Sequence, residues 1–439
     1  MDRNKELLDF LDRSPVNFWA VENMRQELEA HGALRLSEGE HWKLQPGKEY
    51  YVTRNGSALI AFRIPEGEIS GFQIMASHCD SPTFRIKTNA EIVVEQNYLK
   101  LNVEKYGGAL CESWFDIPLS VAGRVMVRSE DGAAVESRLL CIDRDLLIIP
   151  RLAIHMNREA NDGYKINVQK DMLPLFAQAG DDAKGSFQKL IAEECGVVPE
   201  RILETELYLY NRVKGTCFGS SGEFIASGRL DDLQCAFASL KGFLSAKGGS
   251  GIAVHCVYDN EEVGSGTKQG AASTFLTDVL HRIVAALGRT EEDYHRFVRS
   301  GFMVSADNAH AVHPNYTEKA DPTNRPYLNG GIVIKYSAKQ KYTTDAVSAA
   351  IFKELCRRAD VPVQVFHNRS DMAGGSTLGN ISSAQVPINT VDIGLPQLSM
   401  HSAYETAGAK DTGYLIRAAQ TLFSAGIEMT GDGTYRITV

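Results

Sequence analysis

Two adjacent glutamates, Glu261 and Glu262, close an apolar run that begins at Ile252, and Gly264-Ser265-Gly266 then lets the chain turn. Such a pair at a strand end can divide two tasks, one carboxylate binding a metal while its neighbour handles a proton. Alone the pair reads as an exposed acidic loop, so a catalytic meaning depends on partners elsewhere. Partners of suitable type exist. His78 follows Phe72-Gln73-Ile74-Met75-Ala76-Ser77, Asp307 follows Phe302-Met303-Val304-Ser305-Ala306, His401 follows the apolar stretch that ends at Ile393, and Asp231 stands at a helix start. Each has an ordinary explanation taken singly: an N-cap for Asp231 or Asp232, a turn for Asp307, a hydrogen-bonded structural histidine for His78 or His401. Taken together, two histidines and three carboxylates suit two divalent cations of the zinc or cobalt type, whereas an all-oxygen set would suggest magnesium or calcium.

The elements that must position these residues follow from periodicity. Beyond residue 220, Phe224-Ile225-Ala226-Ser227 leads into a helix with Leu233, Ala236, Phe237, Leu240, Phe243 and Leu244 at helical spacing. A second helix runs through Phe275, Leu276, Val279, Leu280, Ile283 and Val284, a third spans residues 344–357, and strands are expected at 302–306, 361–365 and 385–393. Strands alternating with helices predict an α/β fold whose central sheet is largely parallel and covered by helices on both faces. In such sheets ligands bind beyond the carboxyl ends of the strands, where these candidates fall. Residues 5–31 predict two helices broken at Ser14-Pro15, followed by strands at 58–62 and 72–76. From about residue 85 to 215 the texture changes to short β-like runs with one helix at 187–194, which predicts a β-rich domain inserted into the first. The expected division is therefore 1–85 and 216–439 for one domain and 86–215 for the insert.

Composition narrows the class of function. The 439 residues are 44% hydrophobic and 23% charged, with a formal net charge of -9, so no basic face argues for nucleic acid. No apolar stretch reaches the roughly 18 residues of a membrane span, and the charged start Met1-Asp2-Arg3-Asn4-Lys5 does not read as a signal peptide. Eight cysteines without a CxxC pair suit a reducing compartment, and a cytoplasmic location is expected.

Five motifs occur in order: Ala76-Ser77-His78-Cys79-Asp80-Ser81-Pro82, Ser227-Gly228-Arg229-Leu230-Asp231, Asp259-Asn260-Glu261-Glu262-Val263-Gly264-Ser265, Ser305-Ala306-Asp307-Asn308-Ala309-His310-Ala311-Val312-His313-Pro314-Asn315, and Met400-His401-Ser402. Together they resemble the aspartyl aminopeptidase family of dinuclear metallo-aminopeptidases, over essentially the whole chain. The resemblance implies a catalytic α/β metallopeptidase domain interrupted by a β-rich dimerisation domain, and a homo-oligomer of dimers assembling into a tetrahedral dodecamer. It implies that His78 and Asp307 hold one metal, Glu262 and His401 the other, and that Asp231 bridges both. Asp232 stands where many relatives have Asn, which leaves two candidate bridges; Asp231 keeps the spacing after Arg229-Leu230. Asp80 would orient the His78 imidazole, and Glu261 would be the general base. Two cations about 3.5 to 4 Å apart activate a shared water for attack on a peptide carbonyl. The metals are expected to be zinc, with cobalt or manganese as alternatives, and the substrate a peptide with a free N-terminus.

The same resemblance implies that His155, in Leu152-Ala153-Ile154-His155, reaches a neighbouring subunit's site and stabilises the oxyanion. It places Lys335 where it could pair with an acidic first side chain, so that N-terminal Asp or Glu is the expected substrate residue. His310, His313 and Tyr342 would line that pocket, with the glycine-containing stretch 371–379 as its wall. Rival expectations are a preference for neutral N-terminal residues, a dinuclear hydrolase of another amide, and a scaffold whose metal site is only structural.

Overall fold

The computed structural model describes residues 3–180, 183–372, 374–375 and 377–438. Its largest sheet has nine strands in the spatial order Leu34–Arg35, Glu49–Arg54, Ala58–Arg63, Gly251–Tyr258, Gly71–His78, Phe302–Ala306, Asn389–Gly394, Ile332–Tyr336 and Val363–His367. The expected parallel core lies at the centre, where Gly251–Tyr258, Gly71–His78, Phe302–Ala306 and Asn389–Gly394 run parallel. Antiparallel pairing enters on both sides, between Ala58–Arg63 and Gly251–Tyr258 and between Ile332–Tyr336 and Asn389–Gly394, so the whole sheet is mixed.

The central strands are continuous apolar runs because both faces are covered. All eight residues of Gly71–His78 and of Gly251–Tyr258 are buried. One face packs on the helix Leu230–Ser245, which contributes Leu233, Phe237, Leu240 and Phe243 to a core shared with Phe302, Val304 and Phe423. The other face packs on Phe275–Ala286 and Glu291–Ser300 through Phe275, Val279, Ile283 and Phe297. The second of these helices starts where Thr290 and Asp293 form a capping box. Phe237 is fully buried, and its truncation to alanine should cost about 3–5 kcal/mol.

Register decides where the chemistry emerges. Tyr258 pairs with His78 and Ser305 with Ala76, so the strands leading to His78, Glu261, Glu262 and Asp307 end level with one another. The β-rich segment forms a six-stranded sheet in the order Val135–Cys141, Leu119–Arg128, Ile202–Asn211, Thr83–Val94, Tyr98–Tyr106, Leu175–Gln178, with its own core around Phe84, Trp114, Val121 and Leu207. Its helix, Ser186–Cys195, falls where periodicity placed it. A five-stranded sheet, which periodicity did not resolve, joins Thr216–Phe218, Phe224–Ser227, Glu405–Gly408, Pro396–Leu398 and Ala309–His310. It ties the approach to Asp231 to the segment after His401, because Ser227 pairs with Glu405. Among the described residues no helix is long and apolar enough to cross a membrane.

Candidate metal centre

The glutamate pair does not lie on an extended strand end. Asn260 takes a left-handed conformation at φ 61°, and Glu261–Val263 form a single 3-10 turn closed by Gly264 N donating to Glu261 O at 2.9 Å and Ser265 N to Asn260 O at 2.8 Å. The turn is pinned from the neighbouring strand. Asp80 is buried, and its carboxylate accepts Glu261 N at 3.0 Å and Glu262 N at 3.1 Å, one on each oxygen. The same carboxylate lies 3.4 Å from His78 Nδ1, while the Asp80 carbonyl is 3.1 Å from that nitrogen. One residue thus orients the His78 ring and both glutamates.

Asp231 sits between the two histidines. Its Oδ1 is 3.5 Å from His78 Nε2 and its Oδ2 is 3.4 Å from His401 Nε2, and His401 Nε2 is also 3.4 Å from Glu262 Oε2. Asp231 and Asp232, joined by a cis peptide bond, both depart from helical geometry at the start of their helix. Ligand atoms of His78, Asp231 and Glu262 lie within 4.8 Å of one another, as do those of Asp231, Asp232 and Asp307, so Asp231 belongs to both groups. Asp232 Oδ2 accepts His78 N at 3.2 Å.

The donor set fits cations. Ligand bonds of about 2.0–2.1 Å in a tetrahedron separate two donors by roughly 3.3 Å, close to the spacings of Asp231 from each histidine. Asp231 Oδ1, Asp232 Oδ1 and Glu262 Oε1 are buried without a hydrogen-bond partner among the described residues, an arrangement that is costly for carboxylates unless positive charge stands nearby. The protonation preferences carry the same strain. Burial and the charge of Asp231 push Glu262 well above the usual carboxylate range, and burial lifts Asp307 and Asp232 as well. Burial also raises Glu261 to about 7, with Asp307 and Asp80 adding to the rise and His78 opposing it. Asp231 moves the other way: burial works against its charge, but His401 and His78 outweigh it.

The residues expected around the pocket are less uniform. Lys335 lies inside the strand Ile332–Tyr336 and is 3% exposed; its Nζ donates to Asn308 O at 2.8 Å and is 3.7 Å from Asp307 Oδ1. Burial opposes its charge, and Asp307 with Tyr342, Asp392 and Asp231 together more than offset this, so its pKa is raised. Tyr342 is buried with its ring 5.6 Å from Lys335 Nζ. His310 is exposed at the end of a short strand, and half-buried His313 accepts Asn315 N at 3.2 Å through Nδ1. Ala373 and Ser376 of the expected pocket wall lie outside the described residues. His155 is exposed in a turn at 154–156, and no hydrogen bond or ion pair among the described residues ties it to the carboxylates.

One residue of the site was not anticipated. Glu405 is buried; its Oε2 accepts Asp231 N at 3.0 Å and its Oε1 accepts His401 N at 2.7 Å. Burial, with the charge of Asp231, raises it to about 8. A glutamate four positions after His401 in a short strand carries no motif of its own, and only the pairing of Ser227 with Glu405 reveals its part.

With this geometry in hand, comparison with known proteins is informative. Residues 10–423 match the family described as Aminopeptidase I zinc metalloprotease (M18). A Clostridium acetobutylicum protein named as a probable M18 family aminopeptidase 2 is 47% identical over 424 residues, 96% of this chain and 98% of that relative. A Pseudomonas aeruginosa protein of the same name is 42% identical over 428 residues, again 96% and 98%. Among solved structures, one from the complex of Ape4 and Nbr1 superposes with a TM-score of 0.93 at 38% identity, covering 96% of this chain and 85% of that one. The mApe1 dodecamer of S. cerevisiae gives 0.84 at 28% identity, covering 96% of both. The chain belongs to the M18 family of zinc metalloproteases and is a metallo-aminopeptidase of that family.

Proposed function

We propose that the protein removes N-terminal aspartate or glutamate from peptides with a free N-terminus, using two zinc ions held by His78, Asp307, Glu262 and His401 and bridged by Asp231. The observation that carries this reading is the position of Asp231, with one carboxylate oxygen toward each histidine. When bound, the metals would polarise the scissile carbonyl, lower the pKa of the attacking water and anchor the free α-amine. Glu261 takes the proton from that water and passes it to the leaving amine. Asp80 fixes the two glutamate amides and the His78 ring, so that Glu261 meets the substrate without reorganisation.

His155 completes the site from a neighbouring subunit, donating a hydrogen bond to the oxyanion of the tetrahedral intermediate. Its exposure, beside Leu152, Ile154 and Met156 that are 52%, 46% and 71% exposed, supports a role on a surface covered by a second copy. The insert at 86–215 would then be the dimerisation domain, and 1–85 with 216–439 the catalytic domain. A tetrahedral dodecamer is the proposed assembly, supported by the relative described as a dodecamer, and the cytoplasm the proposed location.

Lys335, with His310, His313 and Tyr342 beside it, would receive an acidic first side chain. A preference for neutral residues is the second reading, favoured by the engagement of Lys335 with Asn308 and Asp307. Turnover of Asp-, Glu-, Leu- and Lys-leaving chromogenic substrates, before and after chelation and with zinc restored, tests both. Chelator-sensitive turnover that is fastest for Asp and Glu supports the first reading. Faster Leu turnover establishes the second, and activity that survives full removal of metal overturns both.

A further inference from the structure

The turn that leaves the strand Tyr98–Tyr106 of the inserted sheet does not stay with that sheet. Tyr106 donates its hydroxyl proton to Asp80 Oδ2 at 2.7 Å and accepts Asn260 Nδ2 at 2.9 Å. Gly107, at φ +70°, lies so close to the glutamate turn that a Cβ there would stand 3.0 Å from Glu262 Cβ and 3.3 Å from Glu262 O. A Cβ on Gly108 would stand 3.0 Å from His401 Nδ1 and 3.4 Å from its Cε1. Leu110 N then donates to His401 O at 2.9 Å, and Ser113 Oγ accepts Ala403 N at 2.8 Å.

Glu262 and His401 are the two residues assigned above to the same ion. We infer that the strap from Gly107 to Ser113 is a positioning element of the inserted domain that sets the affinity of this one ion, leaving the ion of His78 and Asp307 to the catalytic sheet. The inference rests on the two-metal reading. Its physical basis is asymmetry of support. His78 and Asp307 grow from strand ends fixed by pairing on both sides. His401 sits in a loop with φ 69°, and its main chain is held by Glu405 on the nitrogen and by Leu110 on the oxygen. Outer contacts of this kind typically change metal affinity by about ten- to a hundredfold. Only a glycine leaves room for the His401 ring against the strap, since any side chain at position 108 must push ring or strap away by tenths of an ångström.

The test is zinc release from the assembled enzyme to a chromogenic chelator, read as two separate affinities, with oligomer size followed by light scattering. Gly108→Ala should weaken the looser ion about tenfold, leave the tighter ion unchanged and keep the assembly. Ser113→Ala adds no volume and removes the acceptor of Ala403 N together with the donor to Leu110 O, so it folds even if Gly108→Ala does not; it should weaken the same ion roughly threefold. Equal weakening of both ions, or release indistinguishable from the wild type in Ser113→Ala, overturns the inference while the two-metal reading stands. Fewer than two zinc ions in the wild-type protein overturns the reading and the inference together.

Discussion

The carboxylate cluster and the segment around His155 lie at opposite extremes of the same molecule. At the cluster, each residue is held by several others: Asp80 serves four partners, Glu405 two, and Asp231 faces both histidines. Around His155 the chain is irregular, apolar and exposed, and its contacts are local turns such as Met156 N to Ala153 O at 2.8 Å. A catalytic group that must sit within tenths of an ångström is built either by support from its own chain or by docking against another. The first region is finished within one chain, and the second reads as half of an interface. On the proposed reading, binding and proton handling belong to the fold, and stabilisation of the intermediate to the assembly.

The sharpest way to break this division is at the base. Glu261→Gln preserves the backbone amides that Asp80 accepts, so zinc content should be unchanged while kcat falls by about 10²–10⁴. A variant that lost zinc in parallel would mean that Glu261 is a ligand and not the base. Next in size is His155→Ala, for which a loss of about 10²–10³ in kcat is expected with the oligomer intact. Because His155 would act on a neighbour's site, co-expressed chains carrying His155→Ala or Glu261→Gln should regain activity in mixed oligomers. A kcat within about threefold of the wild type for His155→Ala removes the oxyanion role, and failure of mixing to restore activity removes its action across the interface.

The two regions also differ in how much the sequence disclosed. The cluster was legible because each of its residues that the sequence singled out follows an apolar run or opens a helix, and such runs are readable when both sheet faces are covered. Its tightening contacts were not. Glu405 works through backbone amides of Asp231 and His401, 174 and four residues away, and pairing across that separation leaves no local pattern. The Glu261-Glu262 pair was placed correctly at the strand's exit, but the 3-10 turn depends on Asn260 in a left-handed conformation, which composition cannot decide. Antiparallel neighbours of the parallel core escaped notice because a buried strand looks the same in either direction. His155 carries no signal apart from its resemblance motif, since a histidine among apolar residues has the pattern of a core position and only its exposure distinguishes it.

A third prediction compares buried charge with substrate charge. Lys335 is inside the fold, yet among the described residues its one hydrogen bond is to a carbonyl, which leaves ammonium protons for an acidic ligand. Lys335→Met should lower the ratio of Asp to Leu turnover by about ten- to a hundredfold, the worth of a charge-assisted hydrogen bond. An unchanged ratio with weaker zinc binding would show instead that Lys335 serves Asp307 alone.

The smallest effect contrasts His155 with another histidine, His255, in the middle of the Gly251–Tyr258 strand. His255 is fully buried, its Nδ1 is 2.7 Å from Ser239 Oγ, and Nε2 has no hydrogen-bond partner among the described residues. Burial lowers its pKa to about 3, well below the value near 6.5 of an unfolded chain. As pH falls below about 6.5 the unfolded chain takes up the proton first, so the contribution of the neutral ring is intact above that pH and is lost progressively toward pH 3. Within this window the slope from this residue is about 1.4 kcal/mol per pH unit. His255→Gln should lower stability at neutral pH through the disturbed packing, yet flatten the acid dependence relative to the wild type in urea unfolding between pH 4 and 7. Parallel slopes for wild type and His255→Gln would mean that the buried ring is already solvated, and that the interior of the central sheet is wetter than its packing implies.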